Sequence, residues 1–352
     1  MFKISVVVLP EHPVEEILAL MKKTDELGLH GFWFVDETYH KDCWIIMAAA
    51  ARETKRIIMG PAVTHIYLRD PTHIAQMLAT LSELSAGRVA AIISIGNLIM
   101  LQQYHVKWEN TRPMQRMREA FNVIRTLLNE GKITFEGKHF RYTGLFTSAR
   151  PHGKVPLYMG AMGGPKSFQL AGEIADGLIP ALGYSAEFWK DVYENFKNGA
   201  SRAGRRLEEL ELGSWSVVSV AKNADAAKEA AKTIVGFYIP SMPARQLKMH
   251  GIDPESVKEI NDAFFRGDVD TVIKLTTSDI VEKLSLAGSP DDIINKLKKN
   301  FIPYGVSHLI SCIIDPFIVK FFTGRNIPGL PDFVEQAKLL KEEVAPALLK
   351  IQ

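Results

Sequence analysis

The stretch from residue 56 to residue 97, RIIMGPAVTHIYLRDPTHIAQMLATLSELSAGRVAAIISIGN, constrains the fold of this chain more than any other. Ile57, Ile58 and Met59, followed by Ala62, Val63 and Thr64, form an apolar run of the length of a buried strand. Residues 65–70 are a polar turn. Pro71 then opens a helix, where its missing N–H does no harm. Ile74, Met77, Leu78, Leu81 and Leu84 recur at helical spacing, and Gly87 stops the helix. Residues 89–95 are a second apolar run, with Ser94, Gly96 and Asn97 at its tip. Two buried strands joined by a helix are parallel neighbours in a right-handed unit, with their polar tips on the same side. In a closed ring of such units that side carries the chemistry.

The same alternation recurs along the chain about eight times. Residues 4–9 read as a strand and residues 14–27 as an amphipathic helix stopped by Gly28. Residues 31–35 (GFWFV) are a second strand with Asp36 and Glu37 at its end, and residues 43–52 an alanine-rich helix. Residues 98–112, which contain Gln102, Gln103, Tyr104, His105 and Trp108, read as a long, partly helical loop over the barrel mouth. A helix follows at 113–129 and a hairpin at 133–142, turning at Glu136-Gly137-Lys138. Strands at 155–159, 177–180 and 210–221 alternate with helices at 165–175, 186–203 and 224–236. A mostly helical interruption spans 240–286. A helix capped by Ser289 covers 290–301, a last strand covers 306–314, and a tail helix covers 331–349. The expected fold is α/β: a (β/α)8 TIM barrel forming one domain over residues 1–352, with insertions near 98–150 and 240–286. An open doubly wound sheet is the rival, disfavoured because no GxGxxG follows the first strand.

Composition narrows the function classes. The chain has 352 residues, 47% hydrophobic, which is ample for a large core. The 42 basic and 40 acidic residues leave a net charge of +2, and no basic stripe points to nucleic acid. Cys43 and Cys312, alone and far apart, make neither a disulfide framework nor a zinc site, so no metal is expected. No apolar run reaches membrane-spanning length and no signal peptide opens the chain, so a cytoplasmic protein is expected. GxSxG, HExxH and Walker lysine motifs are absent, which leaves hydrolase and nucleotide-triphosphatase readings without a handle.

Three stretches can carry chemistry. In FVDETYHKDCW, Asp36 and Glu37 read either as a helix cap with a solvated acid, or as carboxylates beside a polar ring system that relay a proton, with Tyr39 and His40 in reach. In GPAVTH, residues 60–65, a proline inside a strand signals either an irregular end or a bulge that presses backbone against a flat ligand. In MGAMGGPKS, residues 159–167, a strand ends, glycines permit close backbone approach and a helix begins. The free N–H groups there, with Lys166, suit a phosphate, although the same pattern also makes an ordinary tight turn.

Taken together, FVDETYHKDCW, RIIMGPAVTHIYLRDP with ATLSELSAGRV, PLYMGAMGGPKSFQLAGEIADGLI, HGIDPESVKEIND and LAGSPDDIINKL resemble the bacterial-luciferase-like superfamily. The resemblance is to its branch using the deazaflavin coenzyme F420, and within that to the methylenetetrahydromethanopterin reductases; it covers nearly the whole chain. It implies a (β/α) barrel with a non-prolyl cis peptide at Ala62-Val63, in a third-strand bulge that backs the deazaflavin ring. It also implies cofactor contacts from Asp36, Ala62, Val63, Thr64 and Asn97, and a phosphate site at Gly160, Ala161, Gly163, Gly164 and Lys166. The protein then positions and desolvates, while the cofactor does the hard step. Glu37, with His65 and His40 behind it, is the expected acid/base or substrate-orienting group. Three departures stand out: Val7 where the reductases carry a first-strand Glu that serves the pterin, Asp36-Glu37 where they carry Asp-His, and ISIGN at the fourth tip. The leading expectation is an F420-dependent oxidoreductase acting on a small organic substrate, with methylenetetrahydromethanopterin as one candidate. An FMN-dependent monooxygenase and a non-catalytic flavin- or deazaflavin-binding paralogue are the alternatives. The alanine-rich second helix and apolar residues 317–322 suggest a homodimer or higher homo-oligomer.

Overall fold

The computed structural model describes residues 2–107 and 110–349; Trp108, expected in the loop over the mouth, lies outside the described residues. The chain opens with β1 (Lys3–Val8), α1 (Val14–Leu27), β2 (Gly31–Phe34), α2 (Cys43–Glu53), β3 (Ile58–His65), α3 (Pro71–Leu84) and β4 (Ala91–Ser94). The first interruption holds α4 (Leu98–Gln103), α5 (Pro113–Glu130) and the hairpin β5 (Lys132–Glu136) and β6 (Arg141–Phe146). Next come β7 (Leu157–Ala161), α6 (Pro165–Ile174), β8 (Gly177–Pro180), α7 (Ala186–Arg202), β9 (Glu211–Val220) and α8 (Ala224–Tyr238). The second interruption holds α9 (Ala244–Met249), α10 (Lys258–Phe265), α11 (Val269–Leu275), α12 (Ser278–Leu284) and β10 (Leu286–Gly288). The chain finishes with α13 (Pro290–Asn300), β11 (His308–Ile313), α14 (Pro316–Thr323), α15 (Phe333–Leu339), a π-helical turn (Leu340–Val344) and α16 (Ala345–Leu349).

Eight of these strands pair in parallel in the order β9-β11-β1-β2-β3-β4-β7-β8, and β8 returns to β9 through Gly177 with Glu211 and Leu178 with Leu212. The ring is therefore closed, a (β/α)8 barrel. Its strands read as continuous apolar runs because both faces are covered, by lumen side chains and by helices. Short polar side chains at strand tips start the next helix. Asp42, Asp70, Asn97, Ser185, Asn223 and Asp315 each accept a hydrogen bond from a backbone N–H in the first turn beyond them. Ser289 caps α13 as expected, and Asp292 completes a reciprocal capping box.

Two details differ from the sequence-based expectation. Leu286, placed at the end of the helical interruption, and residues 287–288, given no element, instead form a ninth parallel strand at the far end of β9. The tail helix is not continuous. Pro346 cannot donate to the carbonyl of residue 342, and the wider π turn just before it takes up that break.

The third strand is bulged as expected. Its register on β4 runs from Ala62 opposite Ile92 directly to Thr64 opposite Ile93, so Val63 is the extra residue. The Ala62-Val63 peptide is cis.

The bottom of the barrel, where the strands begin, is closed by a buried polar plug. Ser5 Oγ lies 2.7 Å from His308 Nε2, and His308 Nδ1 lies 2.5 Å from Glu211 Oε1. Lys3 Nζ and Tyr158 OH donate to Glu211 Oε2 at 2.6 and 3.1 Å. Burial pushes the Glu211 carboxyl up, but His308 and Lys3 outweigh it and hold it at about 2, against an ordinary 4.5. A carboxyl depressed on folding stabilises the native state above its unfolded value, and that contribution is lost as pH falls through the folded one. Glu211→Gln is therefore expected to cost about 2–3 kcal/mol at pH 7. In urea titrations across pH, the gap from wild type should close between about pH 4.5 and pH 2. A gap that stays constant down to the lower limit would remove Glu211 from the acid-sensitive groups.

Candidate functional site

The upper rim is built from the ends of β2, β3, β4 and β7 and the loops that leave them. Asp36, just past β2, is buried, with 5% exposure. Arg69 grips it bidentately, Nε to Oδ2 at 2.9 Å and Nη2 to Oδ1 at 2.8 Å, and Trp44 Nε1 donates to Oδ2 at 3.0 Å. Burial alone would raise its pKa, but the guanidinium, the indole N–H and the nearby Thr64 hydroxyl win and hold it below the usual carboxylate range. Asp36 is thus an anchor whose oxygens are already engaged. Arg69 and Trp44 were not singled out from the sequence. The RDP turn and the aromatic that opens α2 were the signals available.

Glu37, the next residue, is in the opposite state. Burial pushes its pKa up and Asp36 adds repulsion; His40 and a hydrogen bond with the Asn97 side chain pull it part of the way back. This carboxyl is poised to hold a proton nearer neutrality than a surface acid does. His40 Nε2 sits 3.9 Å from Glu37 Oε2. Its Nδ1 contacts the carboxylate of Glu11, from the loop after β1. The same loop carries His12, buried between Asp315 Oδ2 at 3.2 Å and Glu16 Oε1 at 3.3 Å and stacked on Phe317. Glu11, His12 and Asp315 were likewise not anticipated; the LPEHP segment gave no helical or strand periodicity to read.

At the end of β3, Thr64 Oγ1 and His65 Nδ1 are buried without a well-formed hydrogen bond. Burial pushes the His65 pKa down, so the ring is neutral at pH 7. Gly96 in ISIGN takes φ +97, and a Cβ there would lie 3.1 Å from His65 Cβ. The glycine thus lets the fourth tip lie against His65. Asn97 caps α4, and that helix closes over the loop after β2. Tyr39 OH donates to Gln103 Oε1 at 2.6 Å and Tyr104 OH to Thr38 Oγ1 at 3.1 Å.

The glycine-rich segment divides differently from the sequence reading. Gly160 and Ala161 belong to β7, not to a turn. A Cβ on Gly160 would lie 2.8 Å from Val63 Cγ1, so this glycine makes room for the β3 bulge on the other side of β4. The turn proper is Met162–Gly164. Gly163 takes φ +138 and faces Gln246 Oε1, a buried acceptor without a partner. Gly164 starts α6, which no side chain caps. Lys166 points away, into a groove of about 310 Å³ on the barrel flank lined also by Arg118, Gln169 and Arg202. No cluster of His, Cys, Asp and Glu able to hold a metal exists among the described residues.

The rim therefore offers a bulged backbone ridge (Ala62, Val63), buried polar atoms without a well-formed hydrogen bond beside it (Thr64, His65), a helix start beyond Gly163 that no side chain caps, and a carboxyl of raised pKa (Glu37). These fit a flat polar ring with a phosphate-bearing tail. Val7 shares the lumen-facing side of β1 with Ser5, and neighbouring Trp33 is almost fully buried, so the lumen below the rim is apolar there.

Known proteins match along almost the whole chain. The 5,10-methylenetetrahydromethanopterin reductase of Methanopyrus kandleri is 30% identical over 316 residues, covering 86% of this chain and 90% of the relative. That of Archaeoglobus fulgidus is 27% identical over 350 residues, covering 98% and 99%. The solved structure of the coenzyme F420 dependent tetrahydromethanopterin reductase from Methanopyrus kandleri superposes with a TM-score of 0.87 at 28% identity, covering 98% of this chain and 99% of that one. Residues 2–308 match the luciferase-like monooxygenase family model, and the chain belongs to that family.

Proposed function

We propose that this protein is a coenzyme F420-dependent oxidoreductase that transfers hydride between the deazaflavin and an organic substrate. The observation that carries the reading is the bulged β3, with Thr64 and His65 beside it lacking a well-formed hydrogen bond, in a chain that matches F420-dependent reductases end to end. When bound, the deazaflavin gives or takes the hydride. The chain's own residues do the rest. Ala62 and Val63 would back the ring from one face. Thr64 Oγ1 and His65 Nδ1, which have no well-formed hydrogen bond and lie beside Asp36, would meet its polar edge. Asp36, locked by Arg69, holds the end of β2 against β3 and so fixes the rim that Thr64 belongs to. Gly163, Gly164 and the backbone N–H of Lys166, which is free because Pro165 has no N–H and Ser167 N–H donates to Gly164 O, would receive the phosphate. Gly160 and Ala161 contribute by clearing and flanking the bulge, and Lys166 contributes long-range charge. Asn97 and the α4 helix would shut water out over Glu37, which gives or takes the proton that accompanies hydride transfer to a polar double bond.

Methylenetetrahydromethanopterin is the first substrate to test, given the relatives. The apolar Val7 argues that any acid/base help comes from the Glu37 side of the rim rather than from the lumen. The exposed Ile45 on α2 and Phe321 on α14 support a homo-oligomer, read by light scattering.

Purified protein is expected to bind F420 in calorimetry and to leave FMN unbound at the same concentration; tight FMN binding without F420 binding would overturn the assignment. Glu37→Gln should lower kcat by about 10- to 100-fold while leaving F420 affinity within about twofold. Gly163→Val should weaken F420 binding at least about tenfold, because a β-branched residue resists φ +138 and would press on Gln246. Unchanged affinity in that variant would count against the phosphate position.

A further inference from the structure

Glu11 has no part in the reading above, yet it is one of three titratable side chains that meet at the rim from two separate loops. The Glu11, His40 and Glu37 side chains are 13%, 12% and 16% exposed, so all three are largely withdrawn from water. Glu11 is held in place by its own backbone: its N–H donates to Leu9 O at 2.7 Å, and Lys41 Nζ donates to Pro10 O and Glu11 O at 3.2 and 3.1 Å. A carboxylate on Nδ1 requires that nitrogen to carry its hydrogen. That leaves Nε2, 3.9 Å from Glu37, as the nitrogen that exchanges a proton. A carboxylate that fixes the tautomer and aim of an imidazole is the arrangement by which a histidine is made to serve a third group.

We propose that Glu11 is a positioning residue of this site: it fixes His40 so that Nε2 faces Glu37 and resupplies its proton. The proposal rests on the reading of Glu37 as the proton-carrying group. When a hydride reaches the carbon of a C=N or C=O substrate, the heteroatom takes the proton from Glu37. The resulting carboxylate is reprotonated by His40, whose Nε2 in turn recovers a proton from solvent at the rim; in the oxidative direction the same protons travel outward. The groups facing Glu37 are His40 and Asp36 from its own loop, Asn97 from the β4 tip, Tyr39 beside it and Tyr238 from the end of α8. Of these, His40 is the one that can carry positive charge. Removing Glu11 frees the His40 ring to turn away, and Glu37 then loses the group that faces it.

The test is a pH titration of the cofactor-free full chain by infrared difference spectroscopy. The protonated carboxyl band of Glu37 is identified as the one missing in Glu37→Gln. In Glu11→Gln and in His40→Gln the Glu37 band is expected to persist about one pH unit higher than in wild type. The double variant should shift it no further than either single one, since the two act as a unit. A merely structural Glu11 would not move this titration. An unmoved band in Glu11→Gln overturns the proposal; should that variant not fold, an unmoved band in His40→Gln does the same. F420 binding measured alongside separates the two ideas. A shifted band without F420 binding sinks the functional reading and leaves the Glu11–His40–Glu37 array standing, and F420 binding with an unmoved band does the reverse.

Discussion

The ion pair between Asp36 and Arg69 is the interaction on which the upper rim depends. A carboxylate this deeply buried is tolerable because every strong demand on it is met: two guanidinium N–H groups and an indole N–H saturate its oxygens. The pair ties the loop after β2 to the turn after β3, and the turn after β3 fixes Thr64 and His65. With Asp36 fully charged next door, a second carboxylate cannot ionise as easily. Burial is the main reason the Glu37 pKa is raised, and the anchored charge of Asp36 adds a smaller push in the same direction. One well-satisfied charge thus fixes a rigid platform and adds to the burial that raises the pKa of the neighbouring acid.

How much of this could be read from the residues follows from what each feature depends on. The barrel was legible because strand–helix alternation is a periodic, local signal: residues 14–27 and 177–180 occur with the bounds that periodicity and glycine stops suggest. The β3 bulge was legible because Pro61 cannot sit in an uninterrupted ladder. The cis Ala62-Val63 peptide came from family resemblance alone. Arg69, Trp44 and Glu11 were invisible, because their roles arise from contacts across separate β/α units, which spacing does not encode. The glycine segment shows the limit most clearly. Gly160 and Gly163 look alike in MGAMGGPKS, yet one clears a neighbouring side chain within a strand and the other takes a positive φ in the turn. Sequence supplies the same letter for two different physical needs.

Val7, at the position where the family resemblance implies an acid, takes on a different meaning beside the structure. Val7 faces the lumen where Trp33 already fills space, and an ionised carboxylate there would be buried with little to pair it. The nearest acid on the same strand path is Glu11, four residues on. It lies past the strand end, where His40 and a lysine-braced backbone can compensate it. An acid at the rim rather than in the lumen reaches a different part of a bound substrate. It is also coupled to Glu37 instead of standing alone in an apolar shaft. A substrate that needs a lone carboxylate deep in the barrel is served poorly by this arrangement; one that needs a proton delivered at the rim is served well.

The barrel contains two carboxylate–imidazole pairs of similar connectivity, and their contrast shows why position decides function. At the bottom, Glu211 holds His308 by Nδ1 and Ser5 meets Nε2, the wiring of a hydrolytic relay. Ser5 and His308 are both 0% exposed and sealed beneath the lumen side chains, so no acyl group can approach and the relay does nothing but fasten strand ends. At the top, Glu11 holds His40 by Nδ1 and Glu37 faces Nε2, with about an eighth of each side chain still open to the mouth. In the bottom pair the imidazole itself is sealed, with the His308 side chain 1% exposed against 12% for that of His40, so it serves only to fasten the strands. The top pair keeps enough access to exchange protons with solvent, and a proton-delivering group cannot do without that access. The same chemistry is structural in one place and available for turnover in the other because a parallel barrel exposes the ends of its strands at one face and plugs the other.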